Sequence, residues 1–271
     1  MKKLMIITYS LLGLLLVVFS FLDLHVSQAL YREGSVIGNL TLVSIYIPVY
    51  FLALVSVLVI LRPLLISKIP YKALTHLILG GMYLLIVMVF IYQVVGESDN
   101  WFIWLLISLP VLVLGSVLLV LVIPKDDLFN YQKLSVLYLG VFFIMNIGFN
   151  AFKFFWVRTR FYHLEDASDF SVWFIPQGFF NYADEYSSMP SGHVGTVALL
   201  IGLIFIPLVM DKYKRYLIPV IGVVTFLILF TALGRVIDGK HYVTDTLISM
   251  TLVLSMYVYL SRAILVPQIK E

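Results

Sequence analysis

Long apolar runs separated by short polar stretches make up almost the whole chain. The runs cover 4–22, 40–61, 74–95, 101–123, 134–152, 194–210, 217–233 and 246–260. A helix needs about 20 apolar residues to cross the hydrocarbon of a bilayer. The pattern therefore predicts an all-α, polytopic transmembrane bundle of about eight spans. The first run follows Lys2 and Lys3 and leads into Asp23-Leu-His25. It exceeds the roughly 7–15 residues of a signal-peptide core and lacks a clear small-residue cleavage site, so it reads as a retained first helix. Pro48, Pro110 and the Gly80-Gly81 pair fall inside runs. Membrane helices accept such residues as kinks or points of close packing.

Composition narrows the class further. Hydrophobic residues make up 62% of the 271, and charged residues 12%, against about 25% in soluble proteins. No separate soluble domain fits, so 1–271 reads as one integral membrane domain. The net charge of +3 is scattered and gives no footprint for nucleic acid. The absence of cysteine excludes disulfides, thiolate metal sites and a cysteine nucleophile.

The basic residues set an orientation. Cytoplasmic loops carry an excess of Lys and Arg. Lys2 and Lys3 place the N-terminus inside. Alternate loops then hold Arg62, Lys68 and Lys72; Lys125 and Lys133; Lys212, Lys214 and Arg215; and, in the tail, Arg262 and Lys270. The outer side keeps Arg32, Lys153, Arg158, Arg160, Arg235 and Lys240. Both termini are expected in the cytoplasm. One long segment lies outside the runs, about 161–189. It is acidic (Glu165, Asp166, Asp169, Asp184, Glu185) and aromatic (Trp173, Phe174, Phe179, Phe180, Tyr182, Tyr186). Tyr and Trp favour the membrane–water interface, so it reads as a lid or collar. Solvated loop charges account for His163, Glu165 and Asp166 better than a metal site does.

Three polar islands carry candidate chemistry. In the first, Asn146, Asn150 and Lys153 share a helical stripe that should face the bundle interior. If the helix continued, Arg160 would lie on that face about 10 Å further along the axis; snorkelling at a helix end is the bland alternative. In the second, Pro190-Ser-Gly-His193 resembles a helix start. Ser191 suits an N-cap, Gly192 permits close approach, and free N–H groups there suit phosphate oxygens. In the third, His241 and Asp245 are four apart, so on a helix their side chains would meet. A carboxylate on one ring nitrogen would leave the other free to attack. Arg235 can grip phosphate with two prongs. A structural His–Asp pair is the alternative.

Together, Lys153-x6-Arg160, Pro190-Ser-Gly-His193 and Arg235-x5-His241-x3-Asp245 resemble the three signature motifs of the type 2 phosphatidic acid phosphatase superfamily, over about 150–245. Two positions depart from the pattern: Phe161 stands where the first motif normally has proline, and Gly234 where the third has serine. The resemblance implies a six-helix phosphatase core on the C-terminal side, with motif-bearing helices at 134–260. Two of the helices in 1–133 would then be additional to that core.

The resemblance also implies a mechanism. His241 would attack phosphorus to give a phosphohistidine, and Asp245 would orient it. His193 would protonate the leaving oxygen and then activate water. Lys153, Arg160, Arg235, Ser191 and Gly192 would hold the phosphate oxygens, with no metal and no cofactor. A site at an outer membrane surface implies a lipid phosphate substrate held in the bilayer, with Asp238 and Lys240 as headgroup contacts. The two-lysine start and compact bundle suit a bacterial cell membrane. A lipid phosphotransferase on the same scaffold is one alternative and a vanadate-dependent haloperoxidase a second. A third, of another class, is a transporter for a phosphorylated solute, although the paired broken halves of such proteins are missing here.

Overall fold

A computed structural model describes residues 2–66, 72–97, 99–181 and 183–265. Lys68, Tyr182 and Lys270 lie outside the described residues. Among the described residues there are ten α-helices and no strand. Eight helical stretches are long and apolar enough to cross a membrane, as the run pattern predicts. The protein is an all-α integral membrane protein.

The helices are α1 (Lys2–Leu30), α2 (Val36–Val43), α3 (Tyr46–Ile66), α4 (Lys72–Glu97), α5 (Trp101–Val122) and α6 (Leu128–Phe155). After a long loop come α7 (Gly192–Ala198), α8 (Phe205–Val209), α9 (Leu217–Ile237) and α10 (Val243–Leu265). Two of the eight spans join two α-helices each. The second is α2 and α3, broken by a turn at Ser44 and Ile45. The sixth joins α7 to α8 through a 3-10 stretch, Leu199–Ile204.

Helix α3 is the packing centre and touches α4, α5 and α6. Its Val49, Ala53, Leu54 and Val57 are fully buried, one stripe at helical spacing. Helix α1 lies against α10, α2 against α9, and α7 between α9 and α10. Large apolar side chains such as Phe21, Leu106, Leu118 and Ile218 face outward, as lipid contact requires.

Two sequence expectations change. Arg62 sits inside α3 rather than in a loop. Its guanidinium donates to the carbonyls of Val120 (2.8 Å) and Ile123 (2.7 Å), satisfying acceptors that the end of α5 leaves open. Pro48 lies in the first turn of α3, where a missing N–H costs no helical bond, so it does not kink a span.

Candidate functional site

Helix α6 carries the first island only as far as Phe155. Trp156 turns extended (φ −125°, ψ 92°) while its N–H still reaches the Phe152 carbonyl at 2.8 Å. The chain beyond is held straight by Arg158 N–H to Tyr186 O (3.0 Å), Arg160 N–H to Glu185 O (2.8 Å) and Ser188 N–H to Arg158 O (3.1 Å). Arg160 therefore does not continue the Lys153 face of a helix. It arrives on an extended strap pinned to the long loop. The two side chains nonetheless line one cavity.

The second island folds as its residue types dictate. Ser191 is the N-cap of α7, and its hydroxyl accepts from the Val194 N–H at 3.5 Å. A Cβ at Gly192 would stand 3.8 Å from Lys153 Nζ, and one at Gly195 would stand 2.2 Å from the Phe149 ring. Gly195 thus lets α7 sit close to α6, whereas a methyl at Gly192 would make only ordinary contact.

The third island departs from the simplest reading. Helix α9 ends at Ile237, Gly239 turns the chain with φ +68°, and α10 begins at Val243. His241 precedes the helix that holds Asp245, so the expected direct contact gives way to another arrangement. His241 Nδ1 donates to the Ser188 carbonyl at 2.5 Å. The Asp245 carboxylate accepts from the Tyr242 N–H (2.9 Å), from Ser188 Oγ (2.6 Å) and from the Arg158 guanidinium. The reason is local. Asp245 is the third residue of α10, and an acidic side chain there turns back to the N-cap N–H. Ser188 thus links the two, its backbone to His241 and its hydroxyl to Asp245.

A cavity of about 340 Å³ brings the islands together. Lys153, Arg160, Lys240, Gly192, His193 and His241 line it, with Asn146 and Asn150 of α6. Ser191, Arg235 and Asp245 are fully buried behind this lining. Asp238, expected as a headgroup contact, is not part of the lining. Its carboxylate takes Arg235 Nη2 (2.5 Å) and Ser35 Oγ (3.3 Å), because three residues along a helix end is the reach of an Arg–Asp pair.

Charge shapes the site. Burial, followed by the cations of Lys153, Arg160 and Arg235, holds the His241 imidazole well below its usual range, against a smaller upward pull from the Ser188 carbonyl. The ring is therefore neutral, with Nδ1–H donated and Nε2 carrying the free lone pair.

Several contributors carry no signal in the motifs. Tyr46 and Gln93, from α3 and α4, complete the cavity wall. Arg158 is buried, with its guanidinium 4.1 Å over the Tyr242 ring and bonded to Asp245, Thr244 Oγ1 (3.0 Å) and Asp23 (3.1 Å). Asp23 of α1 also accepts the Thr244 N–H at 3.0 Å. A carboxylate at the end of an apolar run was the available clue.

The departures from the motif pattern have structural partners. The Phe161 ring packs edge-on against Tyr31 (5.4 Å) and Tyr242 (6.4 Å). A Cβ at Gly234 would meet Thr41 Oγ1 at 2.4 Å and the Ile37 carbonyl at 3.2 Å, so α2 rests where a serine would stand. A second cavity, about 550 Å³, opens in the long loop beside Thr159, His163, Glu165 and Glu185, away from both imidazoles of the motifs. Among the described residues, no group of three acidic or histidine side chains is placed to hold a metal ion. Asp166 instead caps the Ala167–Asp169 turn.

The family model described as PAP2 superfamily matches residues 134–265. No curated protein and no solved structure matches the chain.

Proposed function

We propose that this chain, which over residues 134–265 belongs to the PAP2 superfamily, hydrolyses a phosphomonoester or diphosphate on a lipid headgroup. Membership in the superfamily and the bundle of apolar helices support a membrane-bound phosphoric ester hydrolase. The observation that carries the finer reading is the single cavity lined by two imidazoles and three cations, Lys153, Arg160 and Lys240.

The reaction proceeds in two displacements. Nε2 of His241 attacks phosphorus, and the bond from phosphorus to the ester oxygen breaks. His193 gives that oxygen a proton. Positive charge developing on the His241 ring is stabilised through Nδ1–H and the Ser188 carbonyl. Water then attacks the phosphohistidine, His193 takes its proton, and the phosphorus–nitrogen bond breaks to release phosphate. Lys153, Arg160 and the α7 N-terminus at Gly192 hold the equatorial oxygens, and Lys240 faces the headgroup. Arg235 adds its charge from behind. Asp245 acts through Ser188. Phosphoryl transfer needs mainly positioning and charge, which these cations supply without a metal.

The test is phosphate release from a panel of lipid phosphates by purified protein in EDTA. We expect turnover that survives the chelator and is abolished by His241→Ala. An absolute Mg²⁺ requirement, or undiminished turnover in His241→Ala, would overturn the mechanism. A phosphorylated acceptor lipid in place of free phosphate would make the chain a transferase.

A further inference from the structure

The His193 ring has a polar neighbour from a helix outside the family-matched segment. Tyr46 is the first residue of α3 and is 3% exposed. Its hydroxyl lies 3.1 Å from His193 Nε2, and the two rings are 5.4 Å apart at 39°. Tyr50, one turn on, braces the Tyr46 ring edge-on at 6.1 Å. Tyr46, His193 and His241 border the same cavity.

A phenol suits both halves of a proton cycle. It donates O–H to a neutral imidazole nitrogen and accepts N–H from an imidazolium. A partner on one ring nitrogen also fixes the ring's rotation and tautomer. We propose that Tyr46 is a positioning residue for His193, a role that rests on the hydrolase reading above. As the ester bond breaks, the His193 Nε2–H is shared between the phenol oxygen and the leaving oxygen. The proton passes to the leaving oxygen, and Tyr46 O–H then donates to the bared Nε2. When water attacks the phosphohistidine, Nε2 takes up the water's proton and Tyr46 reverts to acceptor. Tyr46 thus ends the cycle with the proton it began with.

The role predicts a dependence on the leaving group. An alkoxide needs a proton to depart, whereas a 4-nitrophenolate does not. The experiment compares kcat/KM, which reports formation of the phosphoenzyme, for a long-chain alkyl phosphate and a 4-nitrophenyl phosphate bearing the same chain. General acid catalysis contributes about 10²–10⁴-fold. Tyr46→Phe should lower the alkyl value by about 10-fold or more and leave the aryl value within about 2-fold. The unaffected aryl reaction doubles as the control for correct folding. His193→Ala should show the same selectivity more strongly. A Tyr46→Phe enzyme equal to wild type on both substrates, or lowered equally on both, would overturn the proposal. The His241→Ala arm separates the two levels. If it loses both reactions, the hydrolase reading stands whatever Tyr46 does. If it keeps them, both ideas fall.

Discussion

At the scale of single residues, the proposed displacement by His241 needs its imidazole uncharged beside cations. Burial and the Lys153, Arg160 and Arg235 charges all oppose its protonation. Replacing Lys153 by Met removes one of those cations, so protonation of His241 becomes easier and its pKa rises. The acid limb of the kcat/KM–pH profile should therefore move to higher pH than in wild type. The substrate's own ionisation is common to both enzymes and cancels in the comparison. The rate at the optimum should fall as well, by about 10²–10³ for loss of one preorganised donor. An unmoved acid limb would mean that Lys153 does not act on the ionisation of His241. The two motif departures also belong to this scale. Gly234 makes room for Thr41 and Ile37, and Phe161 joins an aromatic contact with Tyr31 and Tyr242. Both positions meet the N-terminal part of the chain: Gly234 by leaving room for α2, and Phe161 through the Tyr31 ring just after α1.

At the scale of elements, α1 is tied to α10 through buried charge. Arg158 stands between Asp23 and Asp245, with all three side chains essentially inaccessible. Taking Arg158 away would leave two carboxylates facing each other in the interior. Loss of one partner of a buried ion pair costs about 3–5 kcal/mol. Asp23→Ala leaves a balanced Arg158–Asp245 pair but deprives the Thr244 N–H of its acceptor, a loss of about 1–3 kcal/mol. Asp23→Asn keeps an acceptor oxygen. Melting temperatures in detergent should therefore fall most for Arg158→Ala, less for Asp23→Ala and least for Asp23→Asn. Any other order would sink this account of the α1–α10 tie.

The limits of reading the sequence also show at this scale. The eight spans were legible because twenty-odd apolar residues have few other uses. The break between α2 and α3 was not, since Thr-Leu-Val-Ser-Ile-Tyr carries no charge, Pro or Gly to mark the turn. The spacing of His241 and Asp245 presumed a continuous helix, but Gly239 with φ +68° turns the chain and delays α10 to Val243. In place of a direct His241–Asp245 hydrogen bond, the two are linked through Ser188. Arg158 lay in view inside the first island, yet one sequence gives no sign that a carboxylate 135 residues away would meet it.

At the scale of the whole molecule, the placement of basic residues carries a claim about sidedness, which we propose with the function: both termini inside and the cavity outside. The chain has no cysteine, so single thiols can be introduced without removing any. Asp166→Cys in the long loop should react with a membrane-impermeant maleimide added to intact cells. Lys214→Cys, between α8 and α9, should react only after the membrane is opened. The reverse pattern would invert the protein in the bilayer and place its substrate in the other leaflet.

The cavity's wall has two origins. Its charged side chains come from 134–265, while Tyr46 and Gln93 come from helices that precede that stretch. A fragment trimmed to the family's boundaries would keep the reactive groups and lose one bank of the trough that contains them. On the proposed function this is an opening for an engineer: the front helices could be re-lined to admit a different cargo, with Tyr46 kept and the groups of 134–265 left untouched.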